Sequence, residues 1–139
     1  PICNHLSENY FRIIIILNKK DYILIYTGYY SNYNFYLCQN LTPISISGKA
    51  PDWFKGLHWK FLAPSWDIFS KWKNNIITDD DYIQRFVSER LNKIDIKDLK
   101  EKLDNINNPI LLCYEKQGFC HRHIVADWLN NYGIYCKEY

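Results

Sequence analysis

The segment Leu111-Leu112-Cys113-Tyr114-Glu115-Lys116-Gln117-Gly118-Phe119-Cys120-His121-Arg122-His123 gathers two thiols, a carboxylate, two imidazoles and a guanidinium into one short stretch of chain. It places Glu115 where an apolar run ends, then a glycine-bearing loop, then Cys120 where a helix should open. In open α/β sheets the carboxyl end of a strand and the amino end of the next helix form a ligand site, because free backbone N–H groups and the helix dipole favour an anion there. The pattern points to Cys120, Glu115 and His121 as catalytic groups, with Cys120 as nucleophile or polar contact and Glu115 as acid or base. Arg122 would hold an anion as a planar bidentate donor. The dipole and the neighbouring cations favour the thiolate of Cys120. Bland readings stand beside these: Cys113 as a small buried hydrophobe within a strand, and Glu115 as a partner that locks the loop by pairing with Arg122 or Lys116. His121 and His123, two apart on a helix, point to different sides, so at most one joins a site. A zinc site from Cys113, Cys120 and one histidine lacks a recognised ligand spacing, and adjacent Cys and His are awkward ligands for one ion; no metal is expected.

These groups need a scaffold, and the chain supplies one. Arg12 to Leu17 and Tyr22 to Thr27 read as two short strands or one hairpin, and Pro43 to Ser47 as a further short strand. Ile110 to Tyr114 is a continuous apolar run of the kind buried on both faces of a parallel sheet. Thr78 can cap a helix to about Leu91, with Ile83, Val87, Leu91 and Ile94 as its apolar stripe. Asp95 can cap another, burying Leu99, Leu103 and Ile106 while charges pair at four-residue spacing on its outer side. A third helix, from about Cys120 to Asn131, is stopped by Gly133, and Ile134 to Cys136 makes a final strand. Between Gly48 and Ser65 lies a long aromatic loop. The order predicts a single α/β layered domain over residues 1–139, with a largely parallel central sheet flanked by helices. Because parallel strands end on one side, Tyr29 and Ser31 after the early strand, and Ser45 and Ser47 on the next, are expected to face the Glu115 to Arg122 loop as substrate-binding groups. An amphipathic cover of the sheet edge is the alternative role for the tyrosines.

Leu112-Cys113-Tyr114-Glu115-Lys116, then Phe119-Cys120-His121-Arg122-His123, with Ala126-Asp127-Trp128-Leu129 behind, resembles the family catalogued as domain of unknown function 488. Tyr26-Thr27-Gly28-Tyr29-Tyr30, Pro43-Ile44-Ser45-Ile46-Ser47, Pro51-Asp52-Trp53, Leu62-Ala63-Pro64-Ser65 and Asp81-Tyr82-Ile83 agree with it. The resemblance runs from about residue 23 to the end and leaves residues 1–21 uncovered. It implies a small α/β protein of bacterial or phage type whose Cys-x-Glu and Cys-His-Arg elements form the functional centre. Gly28 departs from the small polar residue often found there in relatives.

Composition narrows the function classes. The chain has 139 residues, 47% hydrophobic and 17% aromatic, enough to bury a core, and a net charge of +2 that gives no footprint of a dedicated nucleic-acid binder. The apolar run at Ile13 to Leu17 is too short to span a bilayer, no leader segment is expected, and Pro1 in a chain without methionine suggests a removed start residue. Five scattered cysteines do not read as a disulfide framework, so a cytoplasmic location is expected. No Gly-rich phosphate loop or Cys-x-x-Cys pair calls for a cofactor. Three functions remain open. The first is an enzyme acting on an anionic small molecule or nucleotide-like substrate at the Cys-His-Arg helix start. The second is a non-catalytic ligand-binding module using the same pocket. The third is nucleic-acid binding through Trp53, Trp59 and Trp66 interleaved with Lys49, Lys55 and Lys60, residues that equally suit a core. The sequence leaves the oligomeric state open.

Overall fold

Pro109–Cys113 (β4) is buried at every position, and its pleat sorts these residues between two apolar clusters: Leu111 joins one, Ile110 and Leu112 the other. Such a strand must be covered on both faces, and it lies at the centre of the sheet. In the computed structural model, which describes residues 24–139, Leu24–Tyr29 (β1), Thr42–Ser45 (β2), Leu57–His58 (β3), β4 and Tyr135–Glu138 (β5) pair in the order β3-β2-β4-β1-β5, all parallel. The parallel α/β architecture is the one expected. The strand proposed at Arg12 to Leu17 lies outside the described residues.

Tyr29 pairs with Cys113 and Ser45 with Leu112, so β1, β2 and β4 end together at one rim. One face of the sheet is covered by Trp66–Lys73 (α2), Asp79–Glu89 (α3), Ile96–Asp104 (α4) and His121–Asn131 (α5); Tyr33–Cys38 (α1) contributes Tyr36 to the opposite face. Thr78 and Asp81 close a reciprocal capping box at the start of α3. Of the expected stripe, Leu91 is fully buried and Val87 and Ile94 pack against the core, whereas Ile83 is exposed and Tyr82 and Phe86 take the core in its place, because the larger rings remove more apolar surface from water. Leu99 and Leu103 of α4 are buried as expected behind Asp95, whose carboxylate accepts from the Lys97 and Asp98 amides. The stretch expected as a long aromatic loop contains β3 and a single helical turn. Helices α1 and α2 were not anticipated.

Gly28 has a packing reason. A Cβ there would collide with the hydroxyl end of Tyr36, which accepts a hydrogen bond from the Tyr29 amide at 3.2 Å. Gly28→Val should therefore force Tyr36 out of its packed position and cost about 1–3 kcal/mol, readable as a lowered denaturant midpoint with an unchanged slope. Cys113, Cys120 and Cys136 are free thiols, as suits cysteines that form no disulfide framework, whereas Cys38 is disulfide-bonded. Among the described residues no helix is long and apolar enough to cross a membrane.

Candidate functional site

The chain leaves the sheet at Cys113, turns through Glu115 and Gly118, and re-enters regular structure at His121. Glu115 lies two residues beyond Cys113, and Cys113 Sγ stands 3.7 Å from Glu115 Oε2. Gly118 has a φ of 83°, a left-handed conformation that glycine adopts without strain and that lets the loop close over so few residues. Cys120 occupies the N-cap of α5 with extended backbone (φ −150°, ψ 139°). Most helices place an oxygen-bearing side chain there to cap the first amides. This one places a sulfur.

His121 is the first helical residue. Its Nε2–H donates to the carbonyl of Ile46 at 2.6 Å, since a carbonyl can only accept, and its Nδ1 meets Cys113 Sγ at 3.4 Å. The Sγ atoms of Cys113 and Cys120 and a ring nitrogen of His121 lie within 4.8 Å of one another. The Cys113 thiol donates towards Cys120 and, with His121, holds the Cys120 thiol well below the ordinary range although burial opposes it; Cys113 is pushed up by the same bond and by burial.

This cluster floors a cavity of about 490 Å³. Trp66, Phe69 and Trp72 from α2, Tyr82 from α3 and Phe119 wall one side; Ser47, Gly48, Lys49 and Tyr114 line the other. Trp72 stands 5.1 Å from Phe119 and 5.6 Å from Tyr82, ring centre to ring centre, while Trp66 at the mouth is 76% exposed. Tyr114 donates to the Lys49 carbonyl at 2.6 Å and ties the two sides of the rim together.

Of the residues singled out from sequence, Cys120, Glu115, His121 and Ser47 line this cavity. Ser45 is fully buried and shares the Tyr30 hydroxyl with Ser47, at 2.6 and 2.8 Å. Ser31 is exposed in the turn after β1, and Tyr29 stacks beneath Lys116 and Arg122 rather than facing the cavity. His123 turns away from His121, towards Glu138.

Arg122 is 1% exposed and does not line the cavity. Its guanidinium donates to both oxygens of the Glu138 carboxylate at 3.1–3.2 Å, to the Glu115 carbonyl, and to the Lys116 carbonyl at 3.3 Å. The ion pair expected with Glu115 is not formed; Arg122 meets that residue only at its backbone. Glu138 also accepts from Thr27 Oγ1 at 2.5 Å, so Arg122 ties the loop before α5 to β1 and β5.

Three features of the site escaped the sequence reading. Cys113 is buried, as expected, yet its sulfur belongs to the cluster. The adjacency that counted against Cys120 and His121 sharing a ligand is relieved by the extended N-cap backbone, which brings both side chains to one point. The aromatic wall from α2 was also missed, although Ser65 before Trp66, Asp67 in the first turn and Lys71 and Lys73 in the last are ordinary helix-end signals.

A family model described as the active DUF488-N3 subclade, DUF488-N3a, matches residues 38–133, which includes the whole cluster. No curated protein and no solved structure matches the chain.

Proposed function

Because the chain belongs to the DUF488 family, we propose that it is an enzyme acting on an anionic, nucleotide-like small molecule in the aromatic cavity, with Cys120 as the attacking atom. The observation that carries this reading is the convergence of Cys120, His121 and Glu115 on the floor of one cavity. The His121 imidazole, oriented by the Ile46 carbonyl, turns Nδ1 towards the thiols, which is the arrangement of a base held by a third group. Cys120 Sγ bonds to the electrophilic atom of the substrate as that atom's bond to its leaving group breaks, Glu115 is the group positioned to protonate the leaving group, and water then cleaves the sulfur–substrate bond to restore the thiol.

Substrate class follows from the walls. Flat rings stack well on tryptophan and phenylalanine, and Trp66 offers its indole to solvent at the mouth. With Arg122 committed to the fold, the anionic part falls to Lys49 on the opposite rim and to the amino end of α5. Binding is tested by melting the protein with a panel of nucleoside phosphates. The parent should be stabilised by at least one member, and Trp66→Ala and Lys49→Ala should each lose most of that shift while keeping the ligand-free melting temperature. Absence of any shift in the parent across the panel would overturn the nucleotide-like assignment. Equal shifts in both variants would overturn the placement of ring and anion.

A further inference from the structure

The geometry points to a site for a soft divalent cation, zinc in class, formed by Cys113 Sγ, Cys120 Sγ and His121 Nδ1. A tetrahedral zinc with Zn–S near 2.3 Å and Zn–N near 2.0–2.1 Å sets its sulfur and nitrogen ligands about 3.5 Å apart. Cys113 Sγ and His121 Nδ1 stand 3.4 Å apart, and all three ligand atoms fall within 4.8 Å of one another, so small rotamer adjustments complete the tripod. The second observation is the Ile46 carbonyl. Metal-bound histidines donate their other ring N–H to a carbonyl or carboxylate, which fixes tautomer and ring plane, and His121 Nε2 does this at 2.6 Å. All three residues are buried on rigid elements, the end of β4 and the first turn of α5.

On binding, thiol protons pass to solvent, and both sulfurs and Nδ1 donate electron pairs to the ion; nothing is oxidised or reduced. Three protein ligands leave a fourth position, which faces the cavity that the same residues floor. The site stands on this geometry independently of any turnover. Its consequence rests on the reading of Cys120 as the attacking atom: with its lone pair committed to the cation, Cys120 cannot attack. The metal-loaded chain is then the silent form and the metal-free chain the reactive one.

Cobalt is the probe, because tetrahedral Co²⁺ on thiolates absorbs visibly and shows sulfur-to-metal charge transfer. The full chain, stripped with chelator, should take up one Co²⁺ with both signatures, lose them on adding one equivalent of Zn²⁺, and melt higher with Zn²⁺ present. Cys120→Ala should abolish the charge-transfer band and the zinc-dependent shift. If that variant does not fold, zinc protection of Cys113 and Cys120 against alkylation in the parent serves as the second measurement. A silent cobalt titration, a spectrum unchanged in Cys120→Ala, or unprotected thiols would each overturn the site. Failure of the site with Cys120 still alkylated in the stripped chain leaves the thiol reading intact. A cobalt spectrum from a chain whose stripped Cys120 is inert leaves the metal site and removes the thiol reading.

Discussion

Arg122→Ala should be the most destabilising single change at the site, costing about 3 kcal/mol and lowering the melting temperature by on the order of 10 °C. Arg122 is almost wholly buried, and its removal takes a donor from the Glu115 and Lys116 carbonyls and, among the described residues, leaves the Glu138 carboxylate its Thr27 and His123 neighbours. Breaking a fully buried pair costs about 3–5 kcal/mol; Glu138 is 38% exposed, so water recovers part of its share and the lower end applies. Arg122→Lys should recover less than half of the loss, since an ammonium cannot reproduce the planar fork that reaches three acceptor groups. Melting curves of the two variants decide this. A loss below about 1 kcal/mol for Arg122→Ala would mean that the guanidinium is not structural, and would return it to the anion-binding role expected from sequence.

The second large effect is a contrast in thiol reactivity. In chelator-treated protein at neutral pH, Cys120 should be alkylated by a small haloacetamide at least about tenfold faster than Cys136. Cys120 opens on the cavity at the positive end of α5. Cys136 is shielded in β5, and burial pushes its thiol up to about 12, so at neutral pH it stays protonated and unreactive; thiolate would accumulate only as pH rises through that value. Peptide mapping of the adducts at early times measures the ratio. Labelling of Cys136 ahead of Cys120 would show that the cavity floor does not expose the sulfur to reagents.

The parts that local rules govern were legible in the sequence. Thr78 and Asp95 cap helices, Ile110 to Leu112 reads as a buried strand, and Cys120 opens the last helix, because each depends on residues within one turn of it. Long-range partners were not legible. Arg122 finds Glu138 sixteen residues away and on a different strand, and neither spacing nor periodicity ranks that carboxylate above Glu115. The same limit hid the role of Cys113: strand burial and membership of the cluster are compatible once its pleat turns the sulfur towards α5. On α3, choosing between Ile83 and the Tyr82–Phe86 pair required knowing which neighbours the helix meets; in the structure Tyr82 packs against Trp72 and Phe119.

The most direct test is turnover. Metal-stripped parent and Cys120→Ser are each incubated with those nucleoside phosphates that stabilise the parent, and products are separated by chromatography. The parent should form product from at least one of them. Cys120→Ser, melting within a few degrees of the parent, should fall to the background of the protein-free control. Product formed by Cys120→Ser at the parent's rate would contradict Cys120 as the attacking atom.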